Sequence, residues 1–471
     1  MLHAVIREHL EPFLREVSDR SDGSGLPRFV EHEFRDFLGC GVLAEGFTRL
    51  RCPECAFERL VPFSCKRRGF CPSCGGRRMA EHAAALVDEV LPQVPVRQWV
   101  LTLPYRLRYR LAWDHALCRA VLSLYVRTLL AFYARTARAL GIPDGQTGTL
   151  TMIQRFGSDL QLNVHFHTLV LDGVFSTARP GRLTFHPAPP PSDGDVAHVL
   201  AIVRARVGRL LARRHLEPAD DTVPTDPLTD ISPVLAGLVS ASVQGRVALG
   251  PRAGARVRRL GDEPDLGHVT SRGPRQAQLD GFDLHANVWV PPNNRARLEQ
   301  LCRYLLRPPL AQDRLRLRPD GRVLVTLKTV WRDGTSHFLF EPIEFLEKLA
   351  ALIPRPAVNL LLYHGVLAPR ARWRAQVVRY GRPTSDGLAP ELEARHRTAG
   401  PPPAWTWAAL MRRVFALDVL ACPRCGGRLR VIATVQNPAI VRAILTHLGA
   451  APGSDSPGPA PPQPDHSAAT G

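Results

Sequence analysis

The sequence predicts an α+β protein in three parts: an N-terminal cysteine-rich module, a central antiparallel sheet with helices, and a mostly helical C-terminal part. Three observations predict it. Two Cys-x-x-Cys pairs stand between residues 52 and 74, a spacing suited to thiol ligands. Two pairs of short apolar runs, at 147–171 and 323–340, flank the turns Gly157-Ser158-Asp159 and Asp333-Gly334, as strands of β-hairpins do. Elsewhere apolar residues recur at helical spacing.

Taken in order, residues 1–38 form two amphipathic helices split by the breaker Ser21-Asp22-Gly23-Ser24-Gly25-Leu26-Pro27. The cysteine block runs from Cys40 to Cys74, followed by a helix over 77–90 and a buried strand over 97–103, which Pro104 ends. A helix over 113–140 precedes the first hairpin. Residues 176 to about 275 alternate loops with helices at 198–214 and 231–243, the first rich in arginine. A strand over 282–290 leads through Pro291-Pro292-Asn293-Asn294 into a helix that stops at Pro308-Pro309, before the second hairpin. The expected division is 1–93, 94–345 with an insertion at about 176–275, 346–450, and a low-complexity tail at 451–471, expected to be disordered.

Composition narrows the function. At 471 residues, with 45% hydrophobic and 22% charged residues, the chain is long enough for about three folded domains. This excludes a small disulfide-stapled scaffold. The formal charge is +18, and 58 of the 61 basic residues are arginine, which points to a phosphate-rich partner. The most apolar helical stretch carries Arg119, Arg127, Arg135 and Arg138, so no membrane partner is expected. The N-terminus lacks a continuous apolar signal region, which implies the cytoplasm and reduced thiols.

Cys52, Cys55, Cys71 and Cys74 have the spacing of a closed, structural four-thiolate Zn²⁺ site. Cys40 and Cys65 are nearby alternatives, and Cys422-x-x-Cys425 is half a site, either a zinc knuckle with His447 as one candidate partner or a reduced turn. Lys66, Arg67, Arg68, Arg77 and Arg78 border the second pair and form a candidate DNA-binding surface. Cys118 and Cys302 fall at apolar helical positions and are expected in the core.

His165 and His167 share one face of a strand, a divalent-metal site that needs a third ligand. Gln154 on the partner strand is preferred for that role over His285 and Gln300. On the helix at 294–307, Leu298, Leu301, Cys302, Leu305 and Leu306 make the core stripe. Tyr304 lies off that stripe with Arg303 and Arg307 close by, so it is a candidate nucleophile with two candidate phosphate-stabilising arginines; Lys328 is a weaker one.

The cysteine block, QRFGSDLQLNVHFHTLVLDGVF (154–175), CRYLLRPPLA (302–311), VWRDGTSHFLFEPIEFL (330–346), YHGVLAPRARWR (363–374) and CPRCGG (422–427) together resemble the insertion sequence 91 family of rolling-circle transposases. That family belongs to the HUH superfamily of single-strand endonucleases, and the resemblance spans about residues 30–450. It implies an HUH-type antiparallel sheet in which His165 and His167 hold Mg²⁺ or Mn²⁺. Tyr304 would then attack a phosphodiester to leave a covalent 5′-phosphotyrosine and a free 3′-hydroxyl. The implied partners are single-stranded or melted DNA at element ends and targets, in a bacterial, nucleoid-associated setting, with aromatic stacking from residues such as Trp99, Trp331 or Tyr105. Some relatives carry a second tyrosine one helical turn after the first. Position 308 is proline here, so the chain resembles the single-tyrosine branch, and self-association that supplies a second Tyr304 is one route to the second cleavage. The rival readings are a zinc-dependent DNA-binding regulator without catalysis and a hydrolytic zinc nuclease.

Overall fold

The computed structural model describes residues 1–179, 182–216, 227–261, 273–331, 333–382 and 406–449. The tail at 451–471 lies outside them. The chain begins with α1 (Leu2–Asp19), α2 (Arg28–Leu38), β1 (Phe47–Arg51), β2 (Glu58–Pro62) and α3 (Pro72–Ala85). The central part supplies β3 (Val96–Thr102), α4 (Tyr105–Trp113), α5 (His115–Ala139), β4 (Gly148–Phe156) and β5 (Leu162–Leu171). Next come β6 (Gly173–Arg179), β7 (Arg182–Pro187), α6 (Asp193–Arg213), α7 (Pro227–Ile231), α8 (Pro233–Val243), β8 (Arg258–Gly261), β9 (Gln276–Leu279), β10 (Phe282–His285) and β11 (Trp289–Val290). After them stand α9 (Arg295–Leu306), β12 (Leu315–Leu317), β13 (Val323–Thr326), β14 (Thr335–Phe340) and α10 (Pro342–Leu352). The last described elements are β15 (Leu361–Gly365), α11 (Arg374–Arg379), α12 (Trp407–Phe415), β16 (Arg430–Val435) and α13 (Pro438–His447).

The principal sheet has the strand order β15-β4-β5-β3-β10-β9, with every pairing antiparallel. This is the expected α+β architecture. The predicted hairpin is β4–β5, with Gln154 directly opposite His165. The long helix expected over 113–140 is α5, and Asp114 starts it, its carboxylate accepting the Leu117 N–H at 2.8 Å. The strand expected over 282–290 pairs with β3 in two pieces, because the chain leaves the ladder between His285 and Trp289.

Side-chain alternation assigns the two faces of this sheet. Trp99, Leu101, Phe166 and Val170 point toward α4 and α5, and the Phe166 ring stacks on Tyr125 at 6.2 Å. By length and apolar composition α5 could cross a membrane, yet over half of its apolar window is buried inside the fold. A buried ion pair braces the same side: Arg97 donates to Asp172 at 2.8 Å, and Tyr133 donates to the same carboxylate at 2.7 Å. The opposite face carries Leu150, Leu169 and Leu171, which pack with Leu298, Cys302 and Leu305 of α9. Cys118 and Cys302 are both in the core, as expected.

The C-terminal part is a mixture of helices and strands. β15 forms one edge of the principal sheet, and β16 pairs with β1 to complete a three-stranded sheet, β16-β1-β2, beside the N-terminal cysteines. Neither pairing carries a local signal in the sequence, since the partners are separated by hundreds of residues.

Candidate functional site

His165 and His167 lie on the α9 face of β5, the central strand, and both are buried. Their Nε2 atoms are 3.0 Å apart. His165 Nδ1 is 2.8 Å from the Asn163 carbonyl, which only accepts, so Nδ1 carries the proton and Nε2 presents a lone pair. His167 Nδ1 meets the Gln98 side-chain amide at 2.8 Å. The amide nitrogen donates to Nδ1, so in the metal-free site His167 carries its proton on Nε2 and donates it to His165 Nε2; turning the Gln98 amide to present its oxygen would move that proton to Nδ1 and free the second lone pair for a metal. Burial pushes His165 down to about 4 and drives His167 well below the ordinary histidine range, aided by His165 and Arg307. Both rings are therefore neutral at pH 7, the form a metal requires.

The donor set fits a divalent cation. Two adjacent ligands of an octahedral ion about 2.1 Å away stand about 3.0 Å apart, the spacing of the two Nε2 atoms. Gln154 shares their face, donates to the Leu305 carbonyl at 3.0 Å, and keeps its buried Oε1 without a hydrogen-bond partner. His285 stands two strands from His167, across β3, so it is more remote than Gln154, which is directly opposite His165.

Helix α9 brings the tyrosine to this pair. Asn294 caps it by accepting the Arg297 N–H, and Leu298, Cys302 and Leu305 anchor it on the sheet. The Tyr304 ring stands edge-on to His167 with centroids 5.9 Å apart. The Arg307 guanidinium lies 4.2 Å from the Tyr304 ring centroid and 5.7 Å from that of Phe156. Arg303 points elsewhere. It donates to Glu299 at 2.5 Å, and Glu299 also receives Arg413 at 2.7 Å, so Arg303 belongs to an ion-pair network behind the helix.

The cysteines gather in two quartets. Cys40, Cys65, Cys71 and Cys74 form one, with sulfurs 3.5–3.8 Å apart in the close pairs. Cys52, Cys55, Cys422 and Cys425 form the other, at 3.5 and 3.6 Å. Sulfurs at the corners of a tetrahedron around zinc, each about 2.3 Å from the ion, would stand about 3.8 Å apart. In the first quartet the shared hydrogen bonds push the Cys71 thiol up and pull Cys74 down, because adjacent thiolates cannot all ionise without a cation.

A family model described as "Transposase zinc-binding domain" matches residues 5–103, and one described as "Putative transposase" matches residues 148–375. The chain is also 22% identical over 410 residues to the transposase for insertion sequence element IS801 of Pseudomonas savastanoi pv. phaseolicola, which covers 85% of this chain and 82% of that protein. It belongs to the insertion sequence 91 family of transposases. No solved structure matches it.

Within this transposase, the zinc-binding domain contains the whole first quartet. The expected set of Cys52, Cys55, Cys71 and Cys74 is not brought together. Each Cys-x-x-Cys pair finds a different partner pair, because β1 and β2 carry the first knuckle away from α3, where Cys71 and Cys74 begin the helix. Cys422 and Cys425 are joined by Cys52 and Cys55 rather than by His447. The signal for the first quartet was present in the nearby Cys40 and Cys65; no sequence spacing pairs residue 52 with residue 425. Gln98, the partner of His167, was missed because it lies on a separate strand.

The basic surface beside the quartet is partly committed to the fold. Arg67 pairs with Asp36, Arg68 donates to the Val358 carbonyl, and Arg78 donates to the Lys66 and Arg67 carbonyls. Lys66 and Arg77 are exposed. A separate basic groove of about 780 Å³ lies between α5 and α6, lined by Arg127, Arg206, Arg209 and Arg213. Among the aromatic candidates, Trp99 is fully buried and donates to Tyr133, which removes it as a base-stacking platform. Trp331 packs on Phe338 and Arg259, while Tyr105 is 53% exposed.

Proposed function

We propose that this transposase nicks and rejoins single-stranded DNA through a covalent 5′-phosphotyrosine on Tyr304, during rolling-circle transposition at the bacterial nucleoid. One observation carries the reading: Tyr304 stands against His167 of a neutral, buried histidine pair while Arg307 covers its ring. His165, His167 and Gln154 would hold Mg²⁺ or Mn²⁺, which when bound supplies Lewis-acid polarisation of the scissile phosphate. Tyr304 Oη forms the new bond to phosphorus as the bond to the 3′-oxygen breaks. The tyrosine proton is lost and the departing 3′-oxygen is protonated, which leaves a free 3′-hydroxyl. Arg307 would balance charge on the phosphate, while Arg303 pairs with Glu299 of its own helix, the carboxylate that Arg413 of α12 ties to the rest of the fold.

Resealing reverses the exchange, with a 3′-hydroxyl attacking the phosphotyrosine, so bond energy is retained and no nucleotide triphosphate is consumed. Lys66, Arg77 and the groove between α5 and α6 offer cations to the DNA backbone, and Tyr105 offers an exposed ring to an unpaired base. Pro308 ends α9 one turn after Tyr304 and leaves no second tyrosine there, so a second cleavage draws on another copy's Tyr304 or on a 3′-hydroxyl. The test is incubation with labelled single-stranded element-end oligonucleotides and Mg²⁺. A covalent adduct lost in Tyr304→Phe supports the proposal. Cleavage that survives Tyr304→Phe indicates hydrolysis, and tight binding with neither adduct nor cleavage indicates a regulator.

A further inference from the structure

We infer that the chain carries a second structural zinc ion, held by Cys52, Cys55, Cys422 and Cys425, which clasps the C-terminal segment onto the N-terminal module. Two of its ligands lie beyond both matched family spans, so the site is not contained in the zinc-binding domain. The two halves have the same local chemistry. Each reads Cys-Pro-x-Cys, and each turns back on itself in the same way. Cys52 N–H donates to the Phe57 carbonyl at 2.8 Å and Cys422 N–H to the Gly427 carbonyl at 2.7 Å. One residue after each second cysteine the chain donates back to the first, Ala56 to Cys52 at 3.0 Å and Gly426 to Cys422 at 2.9 Å. Both of those residues have positive φ, +57° and +74°, which a glycine adopts freely and an alanine only under a local constraint.

Two such knuckles face each other with all four sulfurs within 4.8 Å, although 370 residues separate their second cysteines in the sequence. Only a small apolar cluster, Leu50 and Leu429 with Phe57, Val61 and Leu420 beside them, packs around these thiols from opposite ends of the chain. A tetrahedral cation adds energy directly, since binding free energy at a structural thiolate site is folding free energy. The neighbouring β1–β16 ladder then closes the same joint. The segment it fastens also carries Arg413 of α12, which pairs with Asp88 and with Glu299 of the tyrosine helix. The clasp thus presses the C-terminal segment against the back of α9.

The experiment uses the full chain purified with zinc and compares it with Cys422→Ser/Cys425→Ser. Elemental analysis should give two zinc ions per wild-type chain and one in the double variant. Cobalt substitution should show thiolate-to-metal absorption from both sites, halved in the variant. If the variant fails to fold, alkylation of the wild type still decides, because Cys425 is exposed. With zinc bound, it should be protected as well as buried Cys118 and Cys302, and a chelator should release it to rapid alkylation. One zinc per wild-type chain, two in the variant, or a Cys425 alkylation rate indifferent to zinc would each overturn the second site. None of these readouts involves DNA, so they are independent of the role proposed for Tyr304.

Discussion

Gly75→Ala places a methyl group against the proline that follows the tyrosine helix. A Cβ built at Gly75 falls 2.7 Å from Pro308 Cβ, whereas one at Gly76 meets nothing within 4 Å. Both glycines lie in α3, so alanine at either gains about 1 kcal/mol of helix propensity. Only the first must also relieve an overlap, and overpacking costs about 1–3 kcal/mol. Gly76→Ala should therefore stabilise by about 1 kcal/mol, while Gly75→Ala should fall about 1–3 kcal/mol below it. Denaturant midpoints of the two zinc-loaded variants measure that gap. Pro308 is bonded to Arg307, so relief of the overlap moves the cation that covers Tyr304. Misplacement by about 1 Å costs on the order of 100-fold in rate. Single-turnover adduct formation should slow about ten- to hundredfold in Gly75→Ala and hold in Gly76→Ala. Equal midpoints and equal rates would refute the claim that α3 sets the end of α9.

Arg307→Ala should slow adduct formation by roughly 100-fold or more, as loss of one transition-state cation or donor does, whereas Arg303→Ala should chiefly lower thermal stability; single-turnover rates beside melting curves separate them. Asp172→Ala strands the buried Arg97 guanidinium and should destabilise by about 3–5 kcal/mol in a denaturant titration. For His165, burial lowers the folded value to about 4, so the unfolded chain binds the extra proton first as pH falls. Metal-free stability should be unaffected by this group above about pH 6.5 and decline by up to about 1.4 kcal/mol per unit toward pH 4, a slope that His165→Gln should reduce in pH-dependent unfolding. A stability profile flat over that range in both proteins would contradict the buried-histidine assignment.

How much of this was legible in the sequence depends on how far apart the partners are. The β4–β5 hairpin puts Gln154 opposite His165, 11 residues along the chain, and the alternation of β5 and the stripe of α9 assign their faces without tertiary knowledge. The meeting of Tyr304 with His167 is long-range, and its expectation rested on family resemblance rather than on spacing. The cysteines show the limit most clearly. Local spacing identified knuckles correctly as units, yet Cys52–Cys55 and Cys71–Cys74 were adjacent in sequence and not in space, because β1 pairs with β16 from the far end of the chain. Likewise the arginines near residue 66 read as one DNA surface, although carboxylates and carbonyls brought in from α2 and residue 358 occupy several of them.

The most direct measurement is mass mapping of the protein after reaction with a single-stranded element-end oligonucleotide and Mg²⁺. A 5′-phosphonucleotide is expected on the peptide containing Tyr304, with the released strand bearing a 3′-hydroxyl that a polymerase can extend. Cleaved DNA with no nucleotide on Tyr304, or an adduct on another residue, would contradict it.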